Sequence, residues 1–279
     1  MQHVEFFHRD HFEFRYHRRM AKKSISQFID FFWETDFDSL WQQHPQGFSD
    51  ALFPNLGYTY LINLGTPFVM QLEEQKYEIR SDGFLPRHKY MICHHSPGNK
   101  IFGIKFRASP IVFQKKINFF EYREFIYPLA YLIDPIEVQK IKHAKSFVDR
   151  VEMISGYYEK IILQHEGSLH FVNVVIDALQ RFEESGFNIS IEALASHYKV
   201  SSRTLQRYFE ATTSISSKQA FQILRIRKAI VQLLDHPGTF NPTQFGYYDH
   251  SHFYKQLKSF LHHPAIEIKD PHISLLKCV

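Results

Sequence analysis

From His3 to about Arg123 the apolar residues come in short runs cut by turn residues, as in LGYTYLINLGTPF and GFLPRHKYMICHHSPGNKIFGIKFRASP. Tyr58, Tyr60, Ile62 and Leu64 alternate with Thr59, Leu61 and Asn63, which predicts a strand. Ile101 to Phe106, set between SPGN and ASP turns, predicts another. One helix is expected within this β-rich module, near Ser26 to Trp33.

The period then changes. Asp134 before Pro135 is a helix opening, a capping carboxylate followed by proline at the first helical position. Ile136, Ile141, Ala144, Val148, Val151, Ile154 and Ile161 follow at near-helical spacing, predicting one long amphipathic helix. Its apolar stripe suits either packing on its own β module or pairing with a second subunit. Glu166 and Gly167 mark a break, and Ser168 is placed to cap a helix carrying Phe171, Val172, Val175, Leu179 and Phe182 as far as Gly186. The expected class is α+β, with a β-rich sensor or oligomerisation module (1–133), a linking helix (134–167) and an all-helical C-terminal domain (168–279).

Residues 190–209, SIEALASHYKVSSRTLQRYF, have the layout of a helix-turn-helix. Ser190 and Ser201 are caps; Ile191, Leu194, Ala195, Leu205, Tyr208 and Phe209 face inward, with Val200 in the turn. Ser202, Arg203, Gln206 and Arg207 project outward, and Arg and Gln are the side chains that read guanine and adenine edges bidentately. An ordinary solvated helix face has the same composition, so the second copy matters. After a connecting helix from about Ser217 to Leu234, GYYDHSHFYKQLKSF supplies Gly246 at a turn and Asp249 as a cap. Phe253, Leu257 and Phe260 point inward there, and His250, Ser251, Tyr254, Lys255 and Lys258 outward. A connecting helix of that length spans about 27 Å, close to the roughly 34 Å turn of B-DNA.

Composition narrows the classes. The 279 residues are 44% hydrophobic and 22% charged, which excludes a disordered or collagen-like chain. Aromatic residues reach 16%, with 28 Phe and 15 Tyr, so the core is expected to be rich in rings. No apolar run approaches a membrane span, and charges break every apolar cluster near the start, so neither a membrane segment nor a signal peptide is expected. Cys93 and Cys278 build no disulfide framework, which fits a reducing, cytoplasmic setting. Residues 168–279 hold 12 Lys and Arg against 9 Asp and Glu, a small excess that permits a local nucleic-acid patch without arguing for one.

The run LASHYKVSSRTLQRYF, the RIRKA segment from Arg225 to Ala229 with Ile230, Leu233 and Leu234, and GYYDHSHFYKQLKSF together closely resemble the DNA-binding domain of the AraC/XylS family of bacterial transcriptional regulators. The resemblance covers the last 110 or so residues. It implies base-reading positions at Arg203, Gln206 and Arg207, with Ser202 beside them, and at His250, Ser251, Tyr254 and Lys255. It implies double-stranded DNA as partner, with RNA polymerase, a small-molecule effector and a second copy of the chain as further partners, and no cofactor. Arg225, Arg227, Lys228 and Lys258 are the phosphate-contact candidates. The stretch from Phe28 to Leu132 also resembles, more loosely, the β-rich sensor half of some members.

Three departures stand out. Ser214, Ile215, Ser216 and Ser217 occupy places where the family usually has Gly, an apolar residue, Ser and Pro. Asn241 and Pro242 replace an apolar-Ala pair, leaving about one helical turn before Gly246 and predicting a truncated second motif. Ala265 follows Pro264 near the family's closing proline, an approximate match.

His8 with His11, His94 with His95, His250 with His252 and His262 with His263 lack a third ligand at diagnostic spacing, and no HExxH occurs, so no metal site is expected. His250 and His252 read instead as a DNA-facing or capping residue and a packed residue. A cupin-like oxygenase would need His88, His94 and His95 to converge with Glu73, Glu74 or Glu78. Relatives that repair alkylated DNA use a Cys-rich zinc module, and Cys93 has no partner cysteine for one. The chain is therefore read as a non-enzyme. Arg18, Arg19, Lys22 and Lys23 read as a solvated basic face rather than a phosphate site. The alternative from another class is a small-molecule-binding or catalytic β module whose degenerate helix-turn-helix serves protein contacts.

Overall fold

The computed structural model describes residues 15–109, 111–112, 117–165 and 170–261. The expected break at Glu166 and Gly167, the Ser168 cap, His8, His11, His262, His263, Pro264, Ala265 and Cys278 lie outside them.

A β-rich N-terminal region is followed by a helical C-terminal one. Among the described residues ten strands form two antiparallel sheets: β1 (Tyr16–Met20), β2 (Ile29–Asp36), β9 (Lys100–Phe106), β4 (Tyr58–Asn63), β7 (Gly83–Pro86) and β10 (Tyr127–Pro128) in that order, and β3 (Ser49–Leu52), β8 (Met91–His94), β5 (Phe68–Leu72) and β6 (Gln75–Ile79). A short helix, α1 (Asp38–Gln43), joins β2 to β3.

The central strands of the larger sheet, β2, β9, β4 and β7, are buried on both faces. From β4, Tyr58, Tyr60 and Ile62 enter one core and Leu61 the other; from β9, Phe102, Ile104 and Phe106 enter the first and Ile101 the second. The second core lies between the sheets, where Phe31, Trp33, Leu61 and Leu85 meet Phe68, Met70, Met91 and Cys93. Gly103 makes room there for Trp33, whose ring would lie 2.0 Å from a Cβ. Residues 29–36 are thus a central strand and not the expected helix. Ile29 and Phe32 serve one core while Phe31 and Trp33 serve the other, so the run shows no single apolar face.

The expected long helix is two, α2 (Pro135–His143) and α3 (Phe147–Gln164). Asp134 caps α2 by accepting from Ile136 N–H at 2.8 Å, and Ser146 restarts the chain as α3 by accepting from Asp149 N–H at 3.1 Å. Val138, Ile141, Val151, Ile154, Tyr158 and Ile161 pack on the first core, so the stripe covers its own β module. Ile136 and Val148, expected in that stripe, are 65% and 52% exposed. The linker residues form part of that core.

Five α-helices follow among the described residues: α4 (His170–Glu184), α5 (Ile191–His197), α6 (Ser202–Thr213), α7 (Ser217–Asp235) and α8 (His250–Leu261). They bury a third core around Val175, Phe182, Leu194, Leu205, Phe209 and Phe221, and a fourth around Ile226, Ile230, Leu233, Phe253 and Leu257. Helix α7 runs through both, its first half against α6 and its second against α8.

Candidate functional site

Local chemistry sets each helix of the first motif. Ser190 accepts from Ala193 N–H at 3.1 Å and Ser201 from Thr204 N–H at 3.1 Å, each satisfying a donor that the first helical turn leaves open. Leu194, Ala195, Leu205 and Phe209 are buried, and Ile191, Val200 and Tyr208 pack at the margin. That burial fixes the rotation of α6 and leaves Arg203, Gln206 and Arg207 exposed and Ser202 half-buried. Gln206 donates to Glu210 at 2.8 Å.

In the second motif Asn241 accepts from Thr243 N–H at 3.0 Å and opens a single 3-10 turn, Pro242–Phe245, which ends at Gly246 with φ +70°. The first helix of this motif is therefore one turn, matching the truncation expected from Asn241 and Pro242. Asp249 accepts from His252 N–H at 2.7 Å and starts α8, with Phe253, Leu257 and Phe260 buried. His250, Ser251, Lys255 and Lys258 are exposed and Tyr254 is half-buried. His252, expected to pack, is exposed instead. Tyr248, not singled out from the sequence, is 87% exposed in the turn before α8.

Helix α7 has 19 residues, about 28 Å. Three of its basic residues are engaged within the protein: Arg225 lies over the Tyr247 ring, 4.7 Å from its centre, and donates to Gln256 at 3.4 Å. Arg227 donates to the Pro54 carbonyl at 3.0 Å, and Lys228 pairs with Glu183 at 2.5 Å. Ser214 takes the left-handed conformation, φ +70°, that a glycine would adopt without strain at the end of α6, while Ser216 caps α7 from Gln219 N–H at 3.2 Å. Ser214 is buried and its hydroxyl lies 3.3 Å from His88 Nδ1.

Residues 53–57 are one of the places where the β-rich half meets these helices, beside His88 at Ser214 and the first turns of α4. The Phe53 ring is buried in the fourth core, with the Phe260 ring 6.1 Å away, and Leu56 packs on the third. A cavity of about 30 Å³ lies between the sheets, with Leu52 and Thr59, which flank this segment in the chain, among its lining residues. The rings of Phe31, Trp33, Phe37 and Phe68 line it, and Arg87 and Lys105 bring charged groups to its wall.

His88, His94 and His95 each face different partners and do not converge. His94 lies 3.4 Å from Gln71 Oε1, and His95 stands 2.8 Å from Asn99 Oδ1 and 3.2 Å from Asp50 Oδ2. His88 faces Ser214, and burial pushes its pKa down to about 4. Among the described residues no three His, Cys, Asp or Glu side chains gather as a metal site requires. Burial pushes the Cys93 thiol well up, away from reactivity. Arg19 and Lys22 both pair with Glu152 of α3, and Arg18 stacks 4.0 Å over Phe31, so that basic cluster is largely structural. No described helix is long and apolar enough to cross a membrane.

No family model and no curated protein matches the chain. Solved structures overlay on it loosely. ToxT from Vibrio cholerae O395 does so with a TM-score of 0.46 at 12% identity, over 95% of this chain and 98% of that one. Unsaturated fatty acid bound ToxT from strain SCE256 gives 0.45 at 9%, over 78% and 92%. The AraC-like transcriptional activator CuxR gives 0.29 at 9%, over 81% and 90%. At these scores the likeness carries no function across.

Proposed function

We propose that the chain is a sequence-specific DNA-binding transcription regulator of the AraC type, bacterial and cytoplasmic, acting on double-stranded DNA and catalysing no reaction. The observation that carries the reading is the outward, unburied placement of Arg203, Gln206 and Arg207 on a helix whose opposite face is locked into a core. Such a helix enters the major groove with base-reading groups foremost. Ser202 sits at its leading end. His250, Ser251, Tyr254 and Lys255 form the second reading face, weighted toward phosphate because the helix before it is a single turn.

Among the phosphate candidates Lys258 is exposed, whereas Arg225, Arg227 and Lys228 already hold protein groups and reach DNA only after exchanging them. Residues 168–279 are the proposed DNA-binding domain. The β-rich module (1–133), with the helices of 134–167 packed on it, is the proposed sensor and oligomerisation unit, open to a small-molecule effector, a second copy of the chain and, on the promoter, RNA polymerase. Selection of genome fragments at about 150 mM salt, where non-specific binding is weak, followed by footprinting tests the reading. Two protected major-groove segments about one turn apart on one DNA face are expected. Failure to enrich any fragment, with and without a cell extract as effector source, overturns it.

A further inference from the structure

We infer that Glu210 is a positioning residue of the first reading helix: it holds the Gln206 amide in the orientation that reads adenine, and so fixes an A·T pair at one place in the DNA site. The inference rests on the proposed DNA-binding reading and deepens it by naming a base.

Helix α6 sets Gln206 and Glu210 four residues apart, the spacing at which side chains meet on a helix surface. Leu205 and Phe209 are fully buried and turn this face away from the core, leaving Gln206 exposed and Glu210 half-buried at its margin. Gln206 Nε2 donates to Glu210 Oε1 at 2.8 Å. Glu210 thus takes a neutral amide as partner, although the exposed cation of Arg207 stands only three residues before it.

The chemistry of the pair selects one orientation. An ionised carboxylate only accepts hydrogen bonds, whereas a glutamine amide accepts through its oxygen and donates twice through its nitrogen. Turning the Gln206 amide over would set two acceptor oxygens against each other with no proton between them. The nitrogen therefore stays toward Glu210. One of its protons is spent there; the other lies on the same edge as Oε1, so the outer edge of the amide offers one donor and one acceptor side by side. In the major groove adenine alone presents the complement on a single base, an acceptor at N7 beside a donor at N6. Guanine offers two acceptors, which suit the donor-only guanidinium groups of Arg203 and Arg207. Because the orientation is set before DNA arrives, less side-chain freedom is lost on binding.

The test uses the full chain and the DNA site selected with the wild type. Affinities for that site and its single-base variants are measured for the wild type, Gln206→Ala, Glu210→Gln and the double variant. Gln206→Ala is expected to abolish preference at one base pair, and that pair to be A·T. Glu210→Gln keeps the size of the side chain but both donates and accepts, so it no longer selects an orientation; preference at the same pair is expected to fall about 5-fold, the low end of what a bidentate base contact is worth. In the Gln206→Ala background the Glu210→Gln change is expected to alter no base preference, since the two act through one group. A G·C pair at the position of Gln206, a Glu210→Gln profile equal to the wild type's or changed alike at all positions, or a change that persists without Gln206 overturns the inference. Absence of any wild-type site overturns the DNA-binding reading along with it; a wild-type site with an unaltered Glu210→Gln profile overturns this inference alone.

Discussion

Glu34 in β2 and Arg150 in the first turns of α3 share a two-pronged hydrogen bond, 2.7 Å from Nε and 3.0 Å from Nη2, although 116 residues separate them. Both are buried, and the third guanidinium nitrogen donates to the Ala144 carbonyl at 2.5 Å, inside the break between α2 and α3. Lys100 adds a contact to Glu34 at 3.0 Å. Burial opposes ionisation of Glu34, but the hydrogen bonds from Arg150 and Lys100 outweigh it and hold the carboxyl below its ordinary range.

Removing one partner strands the other charge. Arg150→Met is expected to destabilise the chain by about 3–5 kcal/mol, while Glu34→Leu with Arg150→Met recovers much of that loss. Urea unfolding of the single and double variants measures it. A loss in the double variant equal to the sum of the single losses would show that the pair is not coupled.

Gly57 has φ +69°, and a Cβ there would lie 2.5 Å from the Phe106 carbonyl oxygen and 2.8 Å from that of Arg107. Gly57→Ala therefore forces backbone to move in addition to adopting a strained conformation. A loss of about 2 kcal/mol or more is expected, since the left-handed strain alone is about 1. A thermal melt within experimental error of the wild type would contradict this.

On DNA the two reading helices are expected to differ. Arg207→Ala weakens binding by about 1–3 kcal/mol and relaxes preference at one base pair, whereas Lys255→Ala lowers affinity on all sequences and reduces the salt slope by about 1. Binding titrations over a range of salt, on the selected site and on its single-base variants, separate the two. A sharp change of base preference for Lys255→Ala would show that the truncated motif reads bases after all.

His88 carries a pH signature. A histidine whose folded pKa, about 4, lies below its free value near 6.5 binds its proton preferentially when unfolded. Its contribution to stability is complete above pH 6.5 and is lost as the pH falls toward 4. The expected loss is roughly 1–3 kcal/mol, read from urea midpoints between pH 7.5 and 4.5 and flattened in His88→Gln. Because His88 abuts Ser214 at the end of α6, acidification is expected to loosen the two halves first.

Much of the local structure is written in short-range chemistry. The caps at Asp134, Ser190, Ser201 and Asp249 are each one side chain meeting a backbone N–H two or three residues on, so they are legible from the sequence. The one-turn stub after Asn241 is legible for the same reason. Strand β2 is not, because a strand buried on both faces shows no alternation and its apolar run passes for a helix face. The break before α3 was marked by Ser146 three residues ahead of Asp149, a capping pattern hidden inside an apolar stripe that continues across it. What no local pattern carries is the long-range pairing: Arg227 reads as a phosphate contact until Pro54, 173 positions away, is placed beside it. Arg203, Gln206 and Arg207 were legible as an outward face because the residues between them had to be buried.

Helix α4 begins in the core of the β-rich half, where Val172 is buried and Phe171 and Ile176 pack, and continues into the core of the reading helices through Val175, Ala178 and Phe182. Neither half can be cut away cleanly. A fragment starting at α4 would carry an apolar scar where the sheet had been, and one ending before it would leave a hole in its own interior. The chain is thus poorly suited to exchange of parts by recombination: a new sensor grafted onto these reading helices would have to bring a matching surface for the first turns of α4, or inherit α4 with it.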